Sequence, residues 1–184
     1  MLRPILAALL LLALAMPALA QERPHVKPPR VEFSDVEDEP VATMWVFLNT
    51  TCPVSIVEAP YIKALRDTFA DKGVRFIGVF SGEYADTSEI EDFLLKYRLT
   101  IPILYDKDLL AANSLGADVT PQVVIVLPDE SVVYKGRIND LFERIGKRRQ
   151  HITSHDARDV LRSIVDGKVP AFRTTEAVGC FIER

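Results

Sequence analysis

Apolar residues run almost unbroken from Val41 to Leu48 in "VATMWVFLN", a stretch rich in β-formers. A run of that kind predicts a strand buried on both faces. From Ser55 the spacing changes. Val57, Tyr61 and Leu65, with Ile62 and Phe69, recur at helical intervals until "DKG" (71–73) stops them. "VRFIGVF" (74–80) is a second buried strand. A loop follows, and Ser88 with Glu91 offers a capping box for a helix whose apolar face is Ile90, Phe93, Leu94 and Tyr97. "IPILY" (101–105) predicts a short strand, and "DKDLLAANSLG" a short helix ended by Gly116. "QVVIVLP", the turn "DES" and "VVYKG" predict a hairpin over 122–136. "TSHDARDVLRSIVDG" (153–167) is the last helix, with Val160, Leu161, Ile164 and Val165 inward. The order β-α-β-α-β-α-β-β-α predicts an α/β fold with a central mixed β-sheet flanked by helices.

The ends of the chain differ from this core. Residues 1–20 carry one Arg, an apolar run of 12 ("ILAALLLLALAM") and a closing "ALA". A charged start, a short apolar middle and small residues before Gln21 mark a secretory signal peptide. The run is short for a membrane span, which needs ~20 apolar residues. Residues 21–40, proline-rich and then acidic, form a loose leader, with "VEF" (31–33) as a short edge strand. Residues 41–168 are the folded domain, and 169–184 a C-terminal tail. Loss of Arg3 with the signal leaves 21 basic against 26 acidic residues, a charge of −5 where the full chain has −4. There is no basic stripe, so nucleic acid is not an expected partner. The mature protein is expected to be soluble and exported, periplasmic or extracellular, without stable membrane insertion, where disulfides persist.

That setting gives weight to the two cysteines. Cys52 stands in "NTTCPVS", where the first strand ends and the first helix begins. Free backbone N–H groups at a helix N-terminus favour negative charge. A thiol there ionises below its ordinary pKa of ~8.5 and becomes the nucleophile of disulfide exchange. The polar lead-in of Asn49, Thr50 and Thr51, and Pro53 after the cysteine, favour a reactive over a structural thiol. Asn49 and Thr50 either hydrogen-bond the thiolate or cap the helix. Trp45 lies deeper in the strand and belongs to the core.

Strand, "CPVS", helix, strand, and later "VTPQVVIV" with "VVYKGRI", resemble the thioredoxin-like superfamily, in its exported redoxin and TlpA-like branch, which is related to peroxiredoxins. Pro60, within the first helix, matches the kinking proline of that superfamily. The resemblance spans about Val41 to Gly167. It implies a thioredoxin-like fold, a cis peptide before Pro121, and a loop at Thr120–Pro121 that lies against the active-site thiol and offers backbone to an extended substrate. It implies no cofactor. The expected partners are exported protein thiols or disulfides, or a reductase. Site residues on this reading are Cys52 and Cys180 as catalytic, and Thr120, Pro121, Asn49, Thr50, Thr51 and Pro53 as substrate-binding.

The motif departs from the dithiol pattern. "CPVS" is C-x-x-S, so Ser55 cannot resolve a mixed disulfide. Cys180, in "AVGCFIER", is the internal candidate, and the 11 residues of "KVPAFRTTEAV" reach ~35 Å when extended. An even cysteine count in an exported chain favours pairing. If the tail returns to Cys52, Gly179 permits close approach, and Phe181 and Ile182 are expected to anchor it. A peroxidase is the runner-up. The position three residues before Cys52 is Asn49 rather than the threonine of peroxiredoxins, their proline is missing, and Arg137 is the candidate activating cation. A copper or other soft-metal binding module is a third reading, since two thiolates suit Cu(I). C-x-x-x-C is missing, however, and His25, His151 and His155 lack ligand spacing to either cysteine. "GKRRQ" (146–150) reads as a solvated basic loop, and an Arg137–Asp140 ion pair is expected beside it.

Overall fold

The computed structural model describes residues 23–29, 31, 39–82 and 86–184. The expected signal peptide, and all but the first residue of the "VEF" edge strand, lie outside them. β1 (Ala42–Leu48) and β2 (Val74–Ser81) run parallel, with Ala42 opposite Val74 and Leu48 opposite Phe80. β3 (Ile103–Asp106) adds in parallel to β2. β5 (Gln122–Val126) joins the other side of β1 antiparallel, and the hairpin continues into β6 (Val132–Gly136). A short β9 (Arg173–Thr174) from the tail pairs with β6, giving the order β3-β2-β1-β5-β6-β9. This is a mixed sheet of the thioredoxin-like kind.

The unbroken apolar run of β1 has a direct cause. Successive strand residues point to opposite faces, and both faces are covered. Met44, Val46 and Leu48 pack with Ala59, Ile62, Leu65 and Phe69 of α1 (Pro53–Phe69), with Ile90 and Phe93 of α2 (Thr87–Tyr97), and with Ala157, Val160 and Leu161 of α4 (Asp156–Val165). Trp45 and Phe47 face α3 (Leu110–Leu115) through Ala111, Ala112 and Leu115.

Several local expectations shift. The buried face of α1 is Val54, Glu58, Ile62, Leu65 and Phe69 with Ser55 and Ala59; Val57 is half-buried and Tyr61 exposed. Asp86 caps α2 by accepting from the Ser88 amide at 2.8 Å, in place of a Ser88–Glu91 box. The last helix starts at Asp156, because the Asp140 carboxylate draws the Thr153 and Ser154 amides to itself at 2.8 and 2.9 Å. Asp140 is therefore not the partner of Arg137. The Arg137 guanidinium pairs at 2.8 Å with Asp156, which is fully buried and also meets Arg173 of β9. The leader, expected to be loose, is tied down at its start: Pro24 and Val26 hydrogen-bond to Val132 and Glu130 at 2.7 and 3.1 Å.

The remaining strands lie outside the sheet, at the end where β1 meets α1. β4 (Val119–Thr120) precedes a cis Thr120–Pro121 peptide and pairs with β10 (Cys180–Phe181) at the end of the tail. β7 (Phe142–Arg144) and β8 (Lys147–Arg148) form a small hairpin that includes the basic loop. Among the described residues no helix is long and apolar enough to cross a membrane.

Candidate active site

Cys52 sits at the junction of β1 and α1, with Pro53 in the first turn of the helix. The side chain of Asn49 builds this junction. Its Oδ1 accepts from the Thr51 amide at 2.8 Å, the Thr51 hydroxyl at 2.7 Å and the Cys52 amide at 3.2 Å. Asn49 therefore shapes the loop that delivers the sulfur and does not hydrogen-bond it. Thr50 turns away and donates to Glu89 at 3.5 Å. Ser55, at the fourth motif position, is buried and accepts from the Asn49 amide at 3.4 Å. It holds the same loop closed.

The tail brings the second thiol to this place. In β10 Cys180 stands opposite Thr120, and Phe181 opposite Val119. The Cys180 thiol points at the Cys52 sulfur across 2.8 Å; a disulfide bond is ~2.05 Å long. Gly179 makes the approach possible. A Cβ there would lie 2.1 Å from the Thr120 carbonyl oxygen. Beyond Cys180 the strand's alternation separates the two expected anchors. Ile182 is buried among Trp45, Phe47 and Val79, with its amide bonded to Asp118 at 2.9 Å. Phe181 is 82% exposed and anchors nothing.

The two sulfurs have unlike surroundings. Burial opposes ionisation of Cys52, but hydrogen bonds from the Cys180 thiol and from the backbone of Ser55, Cys180 and Val54 outweigh it and hold its pKa below the ordinary value. The Thr120 carbonyl, 3.0 Å away, accepts from the protonated form and works the other way. The donors outnumber this single acceptor, so the net direction is downward. Cys180 is pushed up to about 12, by burial first and then by its hydrogen bond to Cys52 and the charge there. Of the two, Cys52 is thus the readier to ionise, with the Cys180 thiol donating to it.

Parts of the site lay beyond sequence reasoning. Cys52 is only 1% exposed, because Val54, Leu141, Phe142 and Val178 close over it. Leu141 ends the loop that follows β6, and Phe142 opens β7. That loop is fixed by Asn139, whose Oδ1 accepts from the Leu141 amide at 2.8 Å and whose amide group donates to Glu58 at 2.7 Å. Glu58 is buried on α1, and burial raises its pKa from 4.5 to about 7 despite that hydrogen bond. The signal for Glu58 was present: Val54, Glu58 and Ile62 are spaced four apart on one face. Arg137, the candidate activating cation, is committed to Asp156. Among the described residues no group of three or more His, Cys, Asp or Glu is placed to hold a metal ion. A cleft of about 400 Å³ opens beside the pair, lined by Asn49, Thr50, Thr51, Ser81, Thr120 and Cys180 among others.

Comparison with known proteins agrees with this architecture. The family model described as Redoxin matches residues 14–144. Among characterised proteins, the thiol-disulfide oxidoreductase ResA of Halalkalibacterium halodurans is 28% identical over 99 residues, covering 52% of this chain and 55% of ResA. The chain thus spans about half the length of that relative. Among solved structures, an uncharacterized conserved protein from Geobacillus kaustophilus superposes with a TM-score of 0.72 at 22% identity, over 93% of this chain and 98% of that one. The thioredoxin domain of a thiol-disulfide oxidoreductase from Bacteroides vulgatus gives 0.51 at 18% identity, over 69% and 81%. The two structural likenesses speak to the fold.

Proposed function

This chain belongs to the redoxin family, and from that premise we propose that it is an exported thiol–disulfide oxidoreductase with Cys52 as nucleophile and Cys180 as resolving thiol. The observation that carries the reading is the 2.8 Å approach of the two sulfurs across the β4–β10 pairing. The similarity to a thiol-disulfide oxidoreductase over part of its length supports the reaction class. Export rests on the signal-like residues 1–20.

The chemistry follows from the unequal thiols. When the tail lifts, the Cys52 thiolate attacks one sulfur of a substrate disulfide. A Cys52–substrate bond forms, the substrate S–S bond breaks, and the leaving sulfur takes a proton. Cys52 has then lost its charge. Two of the three influences that raise the Cys180 pKa, the hydrogen bond to Cys52 and its charge, vanish together. Cys180 now ionises more readily, attacks the Cys52 sulfur and expels the substrate's second thiol. Two electrons have passed to the substrate, and a Cys52–Cys180 disulfide remains.

Thiol titration of the protein before and after reductant tests the pairing. No free thiol before reduction and two after are expected; two free thiols throughout in air-oxidised protein would remove the reading. With a disulfide-bridged peptide as substrate, Cys52→Ser is expected to abolish exchange. Cys180→Ser is expected to accumulate a mixed disulfide on Cys52. Rapid consumption of hydrogen peroxide by reduced protein that fails to exchange with the peptide would replace this reading with a peroxidase.

A further inference from the structure

We propose that an external thiol reopens the Cys52–Cys180 disulfide by attacking Cys180, from the cleft that Cys180 borders, so that electrons enter through the tail cysteine. This rests on the pairing proposed above.

Access is the first reason. In the oxidised protein the bond itself holds the tail down, so the opening that exposes Cys52 in the reduced state is blocked. Cys52 then stays beneath Val54, Leu141, Phe142 and Val178. Cys180 is only partly buried, and it is one of the residues that face the cleft, as Cys52 is not. A small thiol seated between Thr51, Ser81 and Phe181 meets the Cys180 sulfur first.

The second reason is the leaving group. A thiolate RS⁻ that attacks Cys180 forms an RS–Cys180 bond and breaks the Cys52–Cys180 bond, and the electron pair leaves on Cys52. Disulfides open faster when the departing thiol has the lower pKa. Cys52 departs into the donors of Ser55 and Val54, whereas attack at Cys52 would expel the Cys180 sulfur, whose ionisation burial opposes. A second external thiol then attacks RS–Cys180, forms RS–SR and releases Cys180, which takes up a proton. Two thiols are oxidised and one protein disulfide is reduced.

The route is tested with 2-mercaptoethanol on oxidised full-length mature protein. Mass spectrometry first verifies that the Cys52–Cys180 disulfide is present; its absence would count against the proposed function, not against the route. The thiol is mixed in at substoichiometric amount, and samples are acid-quenched over a time series and alkylated. Peptide mapping then locates the mercaptoethanol adduct. Extrapolated to zero time, the adduct is expected on Cys180 in at least about tenfold excess over Cys52, with the freed Cys52 alkylated. Equal labelling, or an excess on Cys52, overturns the proposal. Narrowing the cleft with Thr51→Trp gives a second readout. It is expected to slow opening of the disulfide by 2-mercaptoethanol while leaving the adduct position unchanged, and an unchanged rate would remove the cleft from the route.

Discussion

Replacing Gly179 with alanine adds one methyl group to the tail, and it lands on backbone. The new Cβ would stand 2.1 Å from the Thr120 oxygen, 2.6 Å from its carbonyl carbon and 3.1 Å from the Pro121 nitrogen. Ordinary contact begins at 3.4 Å, so β10 must back away from β4 by about 1.3 Å. The Ile182 amide bond to Asp118, 2.9 Å long, cannot survive that shift, and one such bond is worth ~0.5–1.5 kcal/mol. Ile182 is withdrawn in part from a pocket where full burial is worth ~1.5–3 kcal/mol. Tail docking in the reduced protein should therefore weaken by ~2–3 kcal/mol. Cys52 is buried while the tail is down, so it reacts through the open state, and its rate of alkylation follows the open fraction. A rise of about 30- to 150-fold is expected. The assay is iodoacetamide labelling of Cys52 in reduced protein, resolved by peptide mass spectrometry. It is read on the alkaline plateau, where the thiol is fully ionised and its pKa no longer matters. Hydrogen exchange of core strand amides in the same sample separates tail opening from global loosening. A folded Gly179→Ala protein that labels Cys52 at the native rate would refute the claim that the tail covers the nucleophile through this contact.

Two more expectations follow from other parts of the site. Glu58, raised from 4.5 to about 7, holds a proton in the folded state that the unfolded chain has lost between those values. Its share of stability is complete below pH 4.5 and lost as pH rises through about 7, a fall of roughly 3 kcal/mol. Glu58→Gln should flatten that slope, and superimposable pH–stability curves from denaturant titration would sink the assignment. The proposed Cys52–Cys180 bond would close a loop between residues 128 apart and stabilise the oxidised protein by about 5 kcal/mol on the chain-entropy estimate. Reductant should lower its Tm by about 10–20 °C and leave Cys180→Ser unmoved; an equal Tm with and without reductant would show that the bond does not constrain folding.

Local pattern carried the sheet and the helices because each depended on local period. β1 is apolar at every position since both faces are covered, and the run itself shows this. Cys52 was legible because a strand end followed by a proline and a helix announces itself in a few residues, whereas Thr120–Pro121 was legible only through the family resemblance. The two-residue strands β4, β9 and β10 were not, since their existence depends on partners far along the chain. Phe181 and Ile182 illustrate the limit. Both are apolar neighbours near the end of the chain, and only the register of Cys180 opposite Thr120 decides that Ile182 enters the core and Phe181 faces solvent. The role of Glu58 was half visible. Its spacing placed it on the buried face of α1, but the Asn139 that receives its carboxylate is 81 residues away.

Ser55 in place of the second cysteine of C-x-x-C changes more than the location of a thiol. In a C-x-x-C site the resolving sulfur is held one helical turn from the nucleophile, and its local concentration is set by the helix. On the proposed mechanism it is set here by how firmly β10 lies on β4. The same docking also buries Cys52. Loosening the tail therefore has two opposite consequences: the nucleophile meets substrate more often, and the mixed disulfide waits longer for Cys180. On that mechanism turnover is expected to be greatest at an intermediate docking strength. The contacts that set that strength are a two-residue pairing, buried Ile182 with its amide on Asp118, the Arg184 guanidinium on Ala117 and Asp118, and a glycine with no room for a methyl group. Lifting a strand near a chain end costs less than global unfolding, and in the proposed oxidised state the covalent bond would add the firmness that these contacts leave out.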